Sequence, residues 1–430
     1  MTQLFPLLWW IGGGCLTAII GVFVILYFRG TFRDRIEYKV QNVPAPQDAR
    51  FSLALASLSN SVITSGRSTD FWLEAEEINA ARLEAIRNAK HTIHFETFFM
   101  TPGYRANDFA AAIAEKAQAG VNVQVIVDKY GVKTLPQRYW RRLKAAGVEV
   151  RFFNDFNWRS PIDYFARSHR KLLIIDGEFA LIGGAGVSDY WDGRDNIRGT
   201  HPWYDFETRL EGEVVAVLEG MFMQHWTYVH GTADLSTTVS HLGASSNPTI
   251  LVTAGDDPSY RSASVKALFQ VSIHAARQQV WIASPYFLAD KNIRIALVDA
   301  KKRGVDVKIF TNGIRSDKRF VYFASCEQYR DLLAAGIEIY EYQPSMMHAK
   351  ALLLDSCWLS TGSANFDPRS FFHNDELDIS TSDIRLVKQV EKIFLQGFAK
   401  SKQVSFREWK KRPLWQRALA KIVLFFESQL

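Results

Sequence analysis

Residues 348–355, HAKALLLD, and residues 169–176, HRKLLIID, carry the same pattern, His-x-Lys-x-x-x-x-Asp. In each copy the Lys opens an apolar run that is typical of a buried strand. The period of two along a strand places the His and the Lys on one face, whereas the Asp has the other parity or lies beyond the strand end. We therefore predict that the His and Lys side chains of each copy point together into one site.

The chain around the two motifs repeats one succession of elements. Predicted helices alternate with predicted strands over residues 76–153, and the same alternation returns over residues 267–342. Matching landmarks such as Gly120 and Gly304, or His169 and His348, lie 184 and 179 residues apart. Strands that alternate with helices favour an α/β fold. The sequence therefore predicts two duplicated α/β lobes with mixed, largely parallel sheets flanked by helices.

Two His and two Lys residues suit the chemistry of a phosphodiester. An ammonium is a compact charge that binds a phosphate oxygen, and an imidazole at the same site can attack the phosphorus. A second imidazole can protonate the leaving oxygen and later deprotonate the incoming alcohol or water. We predict that the two lobes pack face to face and bring both pairs to one phosphate.

The paired motif, the duplication and residues 348–377, HAKALLLDSCWLSTGSANFDPRSFFHNDEL, resemble the phospholipase D superfamily. From Trp72 to its basic tail the chain is similar to the bacterial cardiolipin synthases of that superfamily. The resemblance implies a two-lobed fold with one shared active site and transfer through a phosphohistidine, with neither a metal nor another cofactor. It also implies that a phosphatidyl group moves from one lipid to an alcohol.

The resemblance also assigns roles to residues of this sequence. Its implied catalytic set is His169, Lys171, Asp176, His348, Lys350 and Asp355. The implied phosphate contacts and supporting residues are Asn365, Ser363, Glu376 and Asp205. By the usual order in the family, His169 is the nucleophile and His348 the acid and base. Asp176 and Asp355 lie past the predicted strands, so we expect them to be structural anchors.

Some residues depart from this pattern or lie outside it. Gly186 stands where the first copy would carry the counterpart of Asn365, so one phosphate donor is missing or supplied by another group. His91 and His94 are three residues apart on a predicted strand, which turns them to opposite faces and disfavours a metal pair. Glu96 shares the parity of His94, and the sequence leaves open whether it lines the cleft or is satisfied at a strand end.

Composition limits the class of protein further. The 430 residues include 51 Lys and Arg against 45 Asp and Glu, a net charge of +6, and residues 401–430 alone carry +5. The rest of the chain is nearly neutral, so we expect no nucleic-acid partner and instead an anionic membrane surface near the C-terminus. The three cysteines are too few and too scattered for a disulfide framework.

Both ends of the chain indicate a membrane. Residues 4–28 carry no charge and are long enough to cross a bilayer, which favours a transmembrane helix over a cleaved signal or a buried core helix. Arg29, Arg33, Arg35 and Lys39 follow it, so we expect a single-pass inner-membrane protein with cytoplasmic lobes. From Pro413 onward the sequence predicts an amphipathic helix. Its spacing fits either lipid binding or docking on the protein's own core.

The predicted organisation is a transmembrane helix (4–28), a linker and juxtamembrane segment (29–71), a first lobe (72–230), a connector (231–249), a second lobe (250–400) and a basic amphipathic tail (401–430). The resemblance implies a membrane-bound phosphatidyltransferase whose donor is phosphatidylglycerol. The acceptor is another phosphatidylglycerol, with phosphatidylethanolamine and glycerol left open. A phospholipase D hydrolase that releases phosphatidic acid and a nuclease of the same superfamily remain alternatives.

Overall fold

The computed structural model describes residues 4–28, 36–159, 163–193, 201–233, 247–256, 258 and 262–427, without the side chains of residues 4–12, 28 and 163. Most of the predicted connector 231–249 lies outside the described residues. Arg29, Arg33 and Arg35, on which the predicted membrane orientation depends, also lie outside them.

The described helices are α1 (Leu4–Phe28), α2 (Phe51–Ser59), α3 (Glu74–Asn88), α4 (Tyr104–Gln118), α5 (Gln137–Ala145), α6 (Val214–Tyr228), α7 (Ser264–Ala275), α8 (Lys291–Lys302), α9 (Arg319–Ala334), α10 (Pro368–Phe372), α11 (Ile384–Ala399), α12 (Phe406–Lys410) and α13 (Leu414–Phe425). Short 3-10 turns cover Asp163–Phe165 and Asp189–Asp192. The strands are β1 (Val62–Ser65), β2 (Arg67–Leu73), β3 (Thr92–Thr97), β4 (Asn122–Asp128), β5 (Glu149–Phe153), β6 (Arg167–Ser168), β7 (Lys171–Ile175), β8 (Phe179–Gly183), β9 (Phe206–Glu211), β10 (Thr249–Ala254), β11 (Gln279–Ala283), β12 (Asp306–Asn312), β13 (Glu338–Tyr342), β14 (Ala351–Leu354), β15 (Trp358–Gly362), β16 (Asn374–Asp375), β17 (Leu377–Thr381) and β18 (Ser401–Gln403).

Two large sheets repeat one strand order. The first is β2-β9-β8-β7-β3-β4-β5, and the second is β1-β10-β17-β15-β14-β11-β12-β13-β18. The run from β9 to β5 in the first sheet matches the run from β17 to β13 in the second. Gly120 and Gly304, which follow α4 and α8, have nearly identical φ angles of +89° and +90° that favour glycine. The duplication and the mixed α/β class predicted from the sequence are therefore confirmed.

The prediction that the sheets are largely parallel is wrong. Within the two large sheets as described, the parallel neighbours are β3 with β4, β4 with β5, β11 with β12, and β12 with β13. The remaining pairs are antiparallel. A parallel pair needs a long crossover, and α4, α5, α8 and α9 supply the four that produce these neighbours.

From Phe51 onward, the predicted linker over residues 29–71 forms regular structure. Strand β1 extends the second sheet through β10, and β2 extends the first sheet through β9. Helix α2 packs on α7 and buries Phe51 and Leu55 in the core of the second lobe. Several side chains of the apolar run FSLALASLS in this segment are buried, whereas a linker that did not pack on the lobes would leave them exposed.

The two lobes share a core. One cluster of buried side chains includes Leu172 and Phe222 from the first half together with Leu353 and Phe394 from the second. A small parallel sheet of β6 and β16 adds backbone hydrogen bonds between the halves. The edges that carry the two motifs are therefore held against each other by packing and by backbone pairing.

The two ends of the chain meet at α13. This helix packs along α9 and buries Ala420, while Leu414, Trp415 and Ile422 on its other side are exposed. Phe425 contacts Phe23 of α1 with 5.9 Å between ring centroids. Of the helices in the described part of the chain, none has both the length and the hydropathy needed to span a membrane.

Candidate active site

Both motifs begin at the carboxyl end of a neighbouring strand. Lys171 opens β7 opposite Thr97, the last residue of β3, and Ala351 opens β14 opposite Ala283, the last residue of β11. The motif strands β7 and β14 run antiparallel to β3 and β11. The His and Lys residues at the start of each motif strand therefore lie beside the carboxyl ends of β3 and β11. This edge is where open α/β sheets commonly place their sites.

Each motif histidine is held by a carboxylate from the other half. His169 Nδ1 lies 3.0 Å from Glu376 Oε2, and His348 Nδ1 lies 2.7 Å from Asp205 Oδ2. Backbone bonds support the crossing, because the His169 N–H donates to Asp375 at 2.8 Å and the His348 N–H donates to Tyr204 at 2.7 Å. Neither half alone therefore supplies a histidine together with its partner.

The carboxylates orient both rings for chemistry at Nε2. A carboxylate at Nδ1 favours the tautomer that carries its proton there, which leaves Nε2 with a lone pair. Burial and then the charge of Lys350 lower the pKa of His348 to about 4. Burial and then Lys171 hold the pKa of His169 well below its usual value. The lowered pKa values favour the neutral form of both imidazoles near pH 7, and a neutral imidazole is the form that attacks phosphorus.

The two motif lysines are buried and close enough to repel each other. Each Nζ donates to the backbone oxygen of its own motif histidine. Burial lowers the pKa of Lys350 to about 8, although Asp205 and Glu376 oppose that shift. Burial and then Lys350 lower the pKa of Lys171 well below its usual value. An anion bound between the two ammonium groups would relieve this repulsion, so the site is suited to a phosphate.

Ser363 and Asn365 lie on the loop after β15, on the side of the site where Glu376 holds His169. Ser363 Oγ donates to Glu376 Oε2 at 2.5 Å, so this hydroxyl supports the carboxylate that holds His169. The Asn365 N–H donates to Ser370 Oγ at 3.0 Å. Among the described residues, the buried Oδ1 of Asn365 finds no hydrogen-bond partner. The Asn365 amide is thus a polar group of the site whose hydrogen bonding is incomplete without a ligand.

The motif aspartates bind backbone groups. Asp176 accepts from the N–H groups of residues 90, 91 and 92 at 2.7 to 2.8 Å. Asp355 accepts from the N–H groups of residues 277, 278 and 279 at 2.8 to 3.2 Å. Each carboxylate therefore fastens the start of the central strand to the end of the motif strand. This geometry is that of a structural anchor.

The first half replaces polar groups by glycine and tryptophan. Gly184 and Gly186 stand at the positions of Ser363 and Asn365. A Cβ would lie 2.4 Å from Asp205 Oδ1 at the first and 2.6 Å from the Phe99 carbonyl oxygen at the second, so neither position admits a side chain. Trp191 takes the place of Ser370, and its Nε1 donates to Asp205 Oδ2 at 3.0 Å.

The two histidines consequently have different surroundings. The His348 ring packs against Trp191 and Trp203, with centroids 5.0 and 5.7 Å away, and the two indoles contact each other at 4.5 Å. The His169 ring lies 5.2 Å from Phe98, and its carboxylate partner accepts from serine hydroxyls. Symmetric chemical roles for the two halves are therefore disfavoured.

A second buried network lies behind His169. Glu96 Oε1 accepts from Ser168 Oγ at 2.6 Å and lies 2.7 Å from His225 Nδ1. Glu96 is fully buried, so it supports the residue before His169 and does not line the cleft. Sequence reasoning missed His225, because it lies in the apolar helix α6 without any motif around it.

The same histidine also approaches two aspartates. His225 Nε2 lies 3.5 Å from Asp256 and 3.4 Å from Asp375, and the three residues offer ligand atoms within 4.8 Å of one another. A metal ion could bind such a set. Arg170 pairs with Asp256, however. Burial alone would lower the pKa of His225, but Glu96 together with Asp256 and Asp375 raises it to about 10. The imidazolium and the guanidinium together supply the positive charge that these carboxylates require.

His91 and His94 differ in burial. His94 is buried with Nδ1 3.2 Å from Glu219 Oε1, and its ring stacks on Phe222. His91 is exposed, and its backbone N–H binds Asp176. His91 precedes β3, and only His94 belongs to the strand.

Comparisons with known proteins agree with this geometry. The family profile described as "Cardiolipin synthase, PLD-like domain" matches residues 83–190 and 270–397. The chain is 31% identical over 398 residues to a cardiolipin synthase of Alkalihalophilus pseudofirmus, covering 90% of this chain and 77% of that one. It is 34% identical over 332 residues to cardiolipin synthase A of Pseudomonas fluorescens, covering 76% and 68%. Phosphatidylserine synthase of Haemophilus influenzae Rd KW20 shares the fold, with a TM-score of 0.68 at 14% identity over 88% of this chain and 99% of that one.

Two lobes that hold paired His and Lys residues in one cleft define a phospholipase D-like enzyme of the phosphatidyltransferase type. The chain belongs to the family of cardiolipin synthases with a PLD-like domain.

Proposed function

We propose that this protein moves a phosphatidyl group from phosphatidylglycerol to a second lipid alcohol through a phosphohistidine, and that the usual product is cardiolipin. The observation that carries the proposal is the crossed pairing of His169 with Glu376 and of His348 with Asp205 around two buried lysines. This arrangement provides a nucleophile, an acid and a phosphate clamp in one cleft.

In the first step, the two ammonium groups and the Asn365 amide hold the phosphodiester. Because the bound anion offsets the charges of Lys171 and Lys350, it favours protonation of His348, which Asp205 then stabilises. His169 Nε2 attacks phosphorus, the bond to the headgroup oxygen breaks, and His348 gives its proton to the leaving glycerol. The phosphatidyl group remains bonded to His169.

In the second step, the neutral His348 takes the proton of an incoming hydroxyl. The hydroxyl oxygen attacks phosphorus, the bond between phosphorus and His169 breaks, and His169 is released as a neutral imidazole. His348 ends protonated, ready for the next first step. Phosphatidylglycerol is our proposed acceptor, and water at this position would give phosphatidic acid instead.

We further propose that α1 anchors the enzyme in the inner membrane, with both lobes in the cytoplasm. Helix α1 is continuous from Leu4 to Phe28 and contains no charged residue. Replacing Ile19 and Ile20 by Arg would make insertion unfavourable. Alkaline carbonate should then extract the doubly substituted chain from membranes, whereas the unmodified chain should stay in the membrane pellet. Equal extraction of both chains would contradict the proposal that α1 is an anchor.

Product analysis tests the reaction. Full-chain protein in detergent, incubated with phosphatidylglycerol vesicles, should yield cardiolipin and glycerol in equal amounts by mass spectrometry. His169→Ala and His348→Ala should each lower turnover by about 10⁴-fold or more, because residues that act as a unit fail together. His91→Ala is the matched control and should be fully active. Phosphatidic acid as the sole product would favour the hydrolase, and full activity in either variant would contradict the two-histidine scheme.

A further inference from the structure

Two loops lie at the edge of the sheets that carries the motif histidines. Residues 154–159 follow β5, and residues 313–318 follow β12. Strands β5 and β12 are parallel to β4 and β11, respectively, so both loops emerge at the edge that carries the motif histidines. The loops therefore stand where a substrate must enter.

Specific contacts tie both loops to the residues before the histidines. Asn154 Nδ2 donates to the carbonyl oxygen of Ala166 at 2.9 Å, three residues before His169. Asn312 Nδ2, at the start of the second loop, donates to the carbonyl oxygen of Met347 at 2.8 Å. Met347 directly precedes His348, so each loop is fastened beside one catalytic histidine.

Large apolar side chains on these loops, or just after them in α9, face outward. Trp158 is 75% exposed and Phe156 is 64% exposed, while Ile314 and Phe320 are 51% and 47% exposed. Side chains of this size usually gain free energy by burial. Their grouping around one opening marks a surface that becomes covered.

Cations alternate with these apolar groups. Arg159, Arg315, Lys318 and Arg319 lie in or directly after the same two loops. Two acids lie in the same segments: Asp155 pairs with Lys129 at 3.0 Å, and Asp317 accepts from the Tyr286 hydroxyl at 2.6 Å. Four cations against two acids leave a net charge of +2. We call the four apolar residues and these four cations the rim. The net positive charge of the rim argues against a second copy of the same surface and for an anionic partner.

The rim continues onto the C-terminal helix. Phe323, one turn after Phe320 in α9, contacts Trp415 of α13 with 5.6 Å between ring centroids. Leu414 and Trp415 at this end of α13 are 78% and 60% exposed. The far end of α13 contacts α1 through Phe425 and Phe23. The rim thus lies on a surface that leads to the proposed anchor helix.

We propose that the rim seats on an anionic bilayer, with its aromatic and aliphatic side chains in the headgroup region and its cations on lipid phosphates. This inference rests on the proposed function, because it explains how a lipid phosphodiester reaches the buried histidines. Tryptophan and phenylalanine suit the interface, and arginine and lysine bind the anionic lipid. A lipid can then enter the cleft without passing through water.

The test compares two double variants of the full chain. Trp158→Ser with Phe320→Ser removes two apolar groups of the rim. Ile384→Ser with Leu395→Ser removes two similarly exposed groups from α11, which packs on the opposite face of the second sheet from α9. Both variants are assayed on phosphatidylglycerol vesicles and on a short-chain phosphatidylglycerol kept monomeric in solution.

The rim variant should show an apparent KM for vesicles raised by about tenfold with kcat within about twofold, because it loses apolar burial at the interface. Its turnover of the monomeric lipid should be unchanged, and the α11 variant should match the unmodified protein on both substrates. An unchanged KM for vesicles, or an equal loss on the monomeric lipid, would overturn the proposal.

A second readout does not depend on turnover. Trp158 fluorescence, obtained as the difference between the unmodified protein and Trp158→Phe, should be quenched by brominated phosphatidylglycerol vesicles. Quenching should weaken at high salt, because the cations are screened. Absence of quenching would overturn the rim even if the enzyme is active. Quenching without turnover of either lipid would instead contradict the proposed function and leave the rim supported.

Discussion

Asp205 Oδ2 lies 2.7 Å from His348 Nδ1, although the two residues are 143 positions apart and belong to different halves of the duplication. Its mirror counterpart joins Glu376 to His169. Because each lobe holds the histidine of the other, the site exists only when the lobes are packed. The same contact sets the tautomer on which the proposed chemistry depends.

Asp205→Asn should therefore lower kcat by about 10² to 10⁴-fold, the range that general acid–base catalysis contributes. Asparagine keeps the shape but cannot stabilise a protonated His348. Glu219→Gln is the matched control, because Glu219 is also a buried carboxylate beside a histidine, His94, outside the site. A loss of activity no larger than that of the control would contradict the role of Asp205.

The pH profile should report on Lys350. Its pKa is lowered by burial to about 8, so the ammonium that clamps phosphate is lost as the pH rises through that value. The value of kcat/KM for the monomeric lipid should thus fall above about pH 8. Lys350→Arg keeps its charge over this range and should move the fall to higher pH. A profile that is flat to pH 10 in the unmodified enzyme would contradict this assignment.

The motif aspartates should affect stability more than chemistry. Asp176→Ala removes a carboxylate that accepts three backbone N–H groups, which should cost about 2–4 kcal/mol in the free energy of unfolding. The folded fraction should keep its kcat. Asp176→Asn retains the oxygen that accepts from residues 91 and 92 and should lose less stability. A fall in kcat without a change in denaturation midpoint would reverse this interpretation.

Asymmetry between the halves gives another prediction. Trp191→Phe removes the indole hydrogen bond to Asp205 while it keeps most of the aromatic volume. We expect kcat to fall about tenfold, because one hydrogen bond to a charged group contributes about 1.5–3 kcal/mol. Gly186→Asn should not add a phosphate donor and should destabilise the fold, since its Cβ would collide with the Phe99 carbonyl. A more active Gly186→Asn variant would show that the missing donor can be restored.

Chelators should leave the reaction unchanged, because histidine and lysine side chains supply every group that the proposed steps use. The set of His225, Asp256 and Asp375 provides a check, since those residues offer ligand atoms within 4.8 Å of one another. Preincubation with EDTA followed by vesicle turnover measures this directly. Strong inhibition that added divalent cations reverse would mean that a metal acts in the reaction or supports this set.

The sequence predicted the repeat, the helices inside it (α3, α4, α5, α7, α8 and α9) and the positions of most strands, because apolar periodicity and glycine helix ends are local signals. It did not predict α6 or α11. It did not predict strand direction well, since that depends on which connections contain a crossover helix. The sequence also did not predict the burial of α2 or the pairing of β1 with β10, because the partners of residues 51–65 lie some 190 residues away.

The candidate site divides in the same way. The sequence predicted the positions of the His and Lys residues because the same spacing occurs twice in the chain. The crossed pairing of His169 with Glu376 depends on how the two lobes pack against each other. The network of Glu96 and His225 had no signal in the sequence, because a histidine in an apolar helix most often only fills the core. Gly186 could be named from the sequence as a departure, but its cause is visible only in its contacts with Phe99 and Trp191.

The most direct test of the central claim is to trap the covalent intermediate. Full-chain enzyme mixed rapidly with phosphatidylglycerol vesicles is quenched in alkali, because histidine–phosphorus bonds are labile in acid, and its peptides are mapped by mass spectrometry. We expect a phosphatidyl adduct on His169 that forms within one turnover and is absent from His169→Ala. An adduct on His348 would reverse the proposed roles, and turnover without any histidine adduct would contradict the mechanism.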